Sequence, residues 1–186
     1  MDSLTQLALG AAVGEATAGR QVGRRALLWG AIAGTIPDLD VFIPLGDAVR
    51  DFTYHRSASH SLFVLLALTP VVVWLILKMH PATAEHRRRW FAMVYLVFAT
   101  HVLLDSFTVY GTQIFWPFVS TPMTWSTIFI IDPIYTVPLL FGITAALIAG
   151  RRYSWGYVAN NLGLVISTVY LMWTIGAKLH VEQVAR

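Results

Sequence analysis

The chain reads as an all-α, polytopic membrane helical bundle of about five or six helices, one domain over residues 1–186. Three observations predict it. Of 186 residues, 56% are hydrophobic and only 12% are charged, whereas a soluble domain carries roughly 25% charged residues. The apolar residues gather into runs of about 20, the length a helix needs to cross a bilayer. Yet seven ionisable residues (Asp38, Asp40, His55, His60, His101, Asp105 and Asp132) lie in or beside those runs. A charge at the bilayer centre costs about 2.5–3.5 kcal/mol on insertion scales, so such residues mark functional sites.

The stretch 5–19 comes first and is rich in small residues. Gly10 and Gly14 stand in the small-xxx-small spacing that permits close helix packing. It is expected to be a short or half-inserted helix lying against the others. The residues Met1 to Thr5 lack a basic n-region and Glu15 interrupts the apolar run, so the N-terminus is expected to be kept. Membrane helices follow at 26–45, 62–79, 91–110, 128–149 and 156–177. The seven tryptophans mostly mark segment ends, as an interfacial aromatic belt does. The absence of cysteine excludes disulfides, thiolate metal sites and a Cys nucleophile. Any metal must be held by His, carboxylate or amide groups.

Charge sets the orientation. Arg20, Arg24 and Arg25 lie in the first connection, Lys78 and Arg87 to Arg89 around the third, and Arg151 and Arg152 in the fifth. Alternation puts these on one side, cytoplasmic by the positive-inside rule, where they meet anionic phospholipids. A net charge of +3 without a basic face argues against nucleic-acid binding. The ionisable residues then fall together in the outer leaflet. His101 and Asp105 stand about 16 and 22 Å along their segment, level with Asp38, Asp40, His55, His60 and Asp132, and with Asp2 if 5–19 crosses.

The motifs carry distinct chemistry. His101 and Asp105, four apart, share a helix face and either chelate a metal or lock two helices by a hydrogen bond. Pro37-Asp38-Leu39-Asp40 breaks a helix and follows with two carboxylates, either lining a site or emerging into water. His55-Arg56-Ser57-Ala58-Ser59-His60-Ser61 places two imidazoles around a guanidinium whose planar fork suits phosphate, unless it is a plain surface loop. Asp132-Pro133 opens a helix, where a catalytic carboxylate and an N-cap are competing roles. The hydroxyl-rich run from Asp105 to Gln113 suits a polar headgroup or the free carbonyls of a helix end. His80 and His86 sit in a basic loop and read as solvated.

Taken together, Met1-Asp2-Ser3-Leu4-Thr5-Gln6, Pro37-Asp38-Leu39-Asp40, His55-Arg56 with His60-Ser61, His101-Val102-Leu103-Leu104-Asp105 and Asp132-Pro133 resemble a bacterial inner-membrane family. That family is described as LexA-regulated, membrane-bound, metal-dependent hydrolases. The resemblance spans nearly the whole chain. Many relatives carry His where this chain has Gln6, so an amide replaces an imidazole there. The His-xxx-Asp spacing is also similar to zinc-dependent phospholipase C and related nucleases, which implies zinc and phosphoester cleavage.

These readings predict a metal-dependent hydrolase of the bacterial inner membrane with its site facing the periplasm. One or two divalent ions, with Zn²⁺ favoured, would be held by some of Asp38, His55, His60, His101 and Asp105, with Asp2 a further candidate. Asp40 or Asp132 would take a proton from water and Arg56 would neutralise a phosphate oxygen. The expected substrate is a membrane lipid or lipid-linked molecule, phosphoester favoured over ester or amide. The alternatives are a proton or metal-ion transporter or channel using the same residues, or a structural membrane protein. A conduit needs polar groups in both leaflets, and the cytoplasmic halves are almost wholly apolar. The sequence leaves the oligomeric state open.

Overall fold

A computed structural model describes residues 1–43, 56–150 and 153–185. Those residues are all-α, with no β-strand among them. They form α1 (Ser3–Val22), α2 (Arg24–Thr35), α3 (Leu62–Met79), α4 (Arg87–Ser106), α5 (Pro133–Ala149) and α6 (Ser154–Val184). Short 3-10 turns fill Pro37–Phe42, Ala58–His60 and Pro81–His86.

Asp2 starts α1: its carboxylate accepts from Thr5 N–H at 3.0 Å and from Thr5 Oγ1 at 2.5 Å. A cap of this kind contributes about 1 kcal/mol. Gly23, at φ +68°, turns the chain into α2 through a conformation that a side chain would strain. The two helices then run back with their backbones in contact. A Cβ on Gly10 would lie 2.3 Å from the Gly30 carbonyl oxygen, and one on Gly30 2.2 Å from that of Gly10. Gly34 faces the Gln6 carbonyl in the same way, at 2.6 Å.

The stretch expected to be short is a 20-residue helix, α1, largely buried, that packs on α2, α4, α5 and α6. Its modest apolarity reflects small residues covered by protein. The expected segment 26–45 is two pieces. Pro37 lacks an N–H and its ring crowds the preceding turn, so α2 stops at Thr35 and the chain tightens into a 3-10 turn.

Among the described residues two helices, α3 and α6, are long and apolar enough to cross a membrane, and α5 is apolar but spans 17 residues. Ser61 caps α3 by accepting from Val64 N–H at 3.5 Å. α4 supplies the centre of the core: Trp90, Met93, Val94, Val97 and Phe98 are all fully buried. Trp90 therefore departs from the expected interfacial belt, and its Nε1–H donates to Thr83 Oγ1 at 3.1 Å. α5 and α6 form a second close-packed pair, tied by Ser167 Oγ donating to the Tyr135 carbonyl at 2.7 Å. α6 reaches across to α1 where Asn160 Nδ2 donates to the Ala12 carbonyl at 2.9 Å.

This antiparallel order brings the ends of α2 and α4 and the starts of α1, α3 and α5 to one end of the bundle. The segment 107–132 straps across that end, where Gln113 N–H donates to the Arg56 carbonyl at 3.1 Å and Leu62 N–H to the Ile114 carbonyl at 3.0 Å. The hydroxyls of the Asp105–Gln113 run mostly serve the end of α4. Ser106 Oγ donates to the Leu103 carbonyl at 2.6 Å and Thr108 Oγ1 to the Asp105 carbonyl at 2.7 Å.

Candidate metal centre

Three segments deliver four side chains to one point. Asp38 comes from the 3-10 turn that Pro37 forces, His60 from the turn before α3, and His101 and Asp105 from one face of α4. One ligand atom from each lies within 4.8 Å of all the others. His60 Nε2 stands 3.4 Å from Asp38 Oδ1 and 3.2 Å from Asp105 Oδ2. His101 Nε2 stands 3.5 Å from Asp38 Oδ1, 3.6 Å from Asp105 Oδ2 and 3.3 Å from His60 Nε2. A cation holding four ligands tetrahedrally at about 2.0–2.1 Å sets them about 3.3–3.4 Å apart. Five of the six separations here lie within 0.3 Å of that spacing.

The surrounding hydrogen bonds fix which atoms face inward. His101 Nδ1 lies 2.7 Å from the Gly34 carbonyl, an oxygen that can only accept, so Nδ1 carries the proton. Ser59 Oγ donates to Asp40 Oδ2 at 2.5 Å and must therefore accept from His60 Nδ1 at 2.9 Å. Each imidazole thus keeps Nδ1 on its support and turns Nε2 to the centre. Asp105 is oriented likewise: Gln6 Nε2 donates to its Oδ1 at 3.0 Å, and the terminal amine of Met1 pairs with the same oxygen. Its Oδ2 faces the centre, buried and without a hydrogen-bonded donor. Two imidazole nitrogens and two carboxylate oxygens converge on one buried point, the donor set of a divalent cation. The residues present fit such an ion.

Arg56 borders this quartet. It adopts φ +63°, a left-handed conformation that costs a non-glycine residue of order 1 kcal/mol or more. The strain persists because its backbone is pinned: Arg56 N–H donates to Asp40 Oδ2 at 3.1 Å. Its guanidinium lies over the Tyr110 ring, 5.0 Å from the centroid, with Nε 3.5 Å from Asp105 Oδ2. Arg56 Nε and Nη1 are buried without a hydrogen-bond acceptor.

Of the residues expected at the site, Asp38, His60, His101 and Asp105 meet, and Arg56 adjoins them. Asp40 stands behind His60, bound to Ser59 and the Arg56 backbone, so it orients a ligand instead of facing the centre. Asp2 and Asp132 depart from the expected metal and catalytic roles, because both carboxylates are engaged as helix caps. Asp132 Oδ1 accepts from Ile134 and Tyr135 N–H at 3.1 and 3.3 Å, and its Oδ2 from Tyr170 Oη at 2.9 Å. His55 lies outside the described residues. His80 and His86 stand apart from the centre, against Trp29 and Glu85 respectively. Sequence reasoning missed Ser59 and the Gly34 carbonyl as supports. Ser59 was legible beside His60, whereas a backbone carbonyl carries no side-chain signal.

The lip of the site is apolar. Asp38 is the ligand most open to the outside, its side chain 21% exposed. On the same turn Leu39, Val41 and Phe42 project outward, with Ile43 beside them.

No curated protein matches the chain, and no solved structure does. A family model does match, over residues 1–181, and this chain belongs to the YdjM inner membrane protein family.

Proposed function

We propose that the protein is a metal-dependent hydrolase embedded as a five- or six-helix bundle in the bacterial inner membrane, with its centre facing the periplasm. The observation that carries the reading is the convergence of Asp38, His60, His101 and Asp105 beside the buried Arg56 guanidinium. The near-tetrahedral spacing, with nitrogen and oxygen donors and no thiolate, favours zinc. Such an ion, taking an oxygen as a further ligand beside these four, would supply Lewis acidity and an activated water.

The remaining chemistry belongs to the chain. Arg56 presents a preformed fork to an anionic oxygen, which favours a phosphoester over a carboxylic ester or amide. Tyr110 and the Asp40 contact hold that fork in place. Asp40, through Ser59, keeps His60 in the tautomer that presents Nε2. The apolar lip of Leu39, Val41, Phe42 and Ile43 suits a lipid or lipid-linked substrate entering sideways from the bilayer. A transporter would need a polar route onward, whereas below the quartet the core is the close-packed apolar row Phe98, Val97, Val94 and Met93. The family resemblance adds expression under LexA control.

The test uses detergent-purified protein, elemental analysis, and hydrolysis of bis(p-nitrophenyl) phosphate and a short-chain phospholipid. The wild type should hold about one zinc per chain and lose activity to a chelator. Asp38→Ala and His101→Ala should lose the metal. Arg56→Gln should keep the metal while activity falls roughly 10²–10³-fold, the scale of losing a preorganised oxyanion donor. A wild type without stoichiometric metal, purified under non-stripping conditions, sinks the reading.

A further inference from the structure

At the end of the bundle opposite the metal centre, a cavity of about 460 Å³ opens between the α1–α2 turn and the start of α6. That volume lies in the range of about 300–1,000 Å³ typical of small-ligand sites. Its walls carry both signs of charge. The Arg20 guanidinium lies over the Tyr157 ring, 4.1 Å from the centroid, and Tyr157 Oη donates to the Ala16 carbonyl at 3.3 Å. Arg24 uses one nitrogen, Nη2, on the Leu147 carbonyl at 2.9 Å. Two helices begin at this cavity without a side-chain cap, α2 at Arg24 and α6 at Ser154, so their first-turn N–H groups add partial positive charge.

Glu15 is the opposing charge. Its side chain runs along α1 until the carboxylate lies against Gly19, where a Cβ would stand 2.4 Å from it. Among the described residues that carboxylate has no hydrogen bond or ion pair, although it is half-buried. An acid and two guanidiniums thus share one cavity without meeting. A ligand carrying only a phosphate would leave Glu15 beside an anion, and one carrying only an amine would leave the guanidiniums facing a cation. A phosphate joined to a primary ammonium answers both.

We propose that this cavity holds the headgroup of a zwitterionic aminophospholipid, its phosphate against Arg20 and Arg24 and its ammonium against Glu15. The planar guanidinium fork matches phosphate oxygens. The ammonium supplies three donors, where a quaternary amine supplies none. This site is independent of the hydrolase reading and rests only on the chain being a membrane protein.

The test is native mass spectrometry of the delipidated full chain in detergent. Phosphatidylethanolamine, phosphatidylglycerol and phosphatidylcholine of one chain composition are added separately, with inorganic phosphate as a competitor. Phosphatidylethanolamine should be retained at one per chain at about tenfold lower concentration than the other two, the scale of one charge-assisted hydrogen bond. Glu15→Gln, which alters no existing contact, should erase that preference while leaving the glycerol lipid bound as before. The double substitution Arg20→Gln and Arg24→Gln should weaken all three lipids about tenfold, with circular dichroism checking that the helices remain. Equal retention of the three lipids by the wild type overturns the proposal, as does a preference that survives Glu15→Gln. Displacement by inorganic phosphate at comparable concentration also overturns it, assigning the cavity to a free anion.

Discussion

At the residue scale, the candidate metal centre depends on side chains outside the quartet itself. Gln6 is fully buried and donates to Asp105 Oδ1 and, at 3.3 Å, to the His101 carbonyl. Removing it leaves a buried carboxylate oxygen short of one donor. Gln6→Ala should cost about 1–3 kcal/mol of stability and lower zinc affinity 10–100-fold. Ser59→Ala should match that loss of affinity with less effect on stability, because it frees the His60 tautomer without opening the core. Competition with a zinc chelator of known affinity measures both. Affinities within twofold of wild type would mean that the ligands orient themselves. The quartet itself was legible in the sequence, since His-xxx-Asp and Pro-Asp already imply shared faces and a broken helix. The role of Gln6 was not, because a buried glutamine in an apolar run looks the same whether it supports a ligand or fills space.

At the element scale, the glycine contacts between α1 and α2 decide where the Pro37 turn falls. Gly10 and Gly30 touch backbone to backbone, and the same seam ends at Gly34, whose carbonyl holds His101. Gly30→Ala would drive a methyl group to 2.2 Å from the Gly10 carbonyl, so the helices must separate. Stability should fall by about 1–3 kcal/mol, as in overpacked cores. Zinc content should fall with it, because the Gly34 carbonyl moves away from His101. Gly176→Ala is the control. No atom lies within 4 Å of its added Cβ, and helix propensity alone predicts a gain of up to about 1 kcal/mol. Thermal unfolding and zinc content of the two variants give the comparison; equal behaviour would show that the seam is not rigid. The sequence signalled close packing through Gly10 and Gly14. It understated α1 because hydropathy measures what lipid would cover, and this helix is covered by its neighbours.

At the scale of the whole molecule, the four ligands add a polar tie between segments whose helices, α2 and α3, both pack on α4. Asp38 follows α2, His60 precedes α3, and His101 and Asp105 end α4, with residues 44–55 between the first two. Without a cation, two carboxylates share one buried point with two imidazoles, an arrangement that protons on the rings must offset. Metal binding and folding are therefore linked. An ion present at 100–1,000 times its dissociation constant stabilises by about 2.7–4.1 kcal/mol. For a chain of this length that corresponds to a rise of roughly 5–15 °C in melting temperature. Chelation should lower the wild-type melting temperature by that amount, and zinc should restore it. His101→Ala should already melt low and shift no further with chelator, since its quartet is broken in either condition. A wild type indifferent to chelator, while still holding zinc before treatment, would place the ion somewhere other than between these three segments.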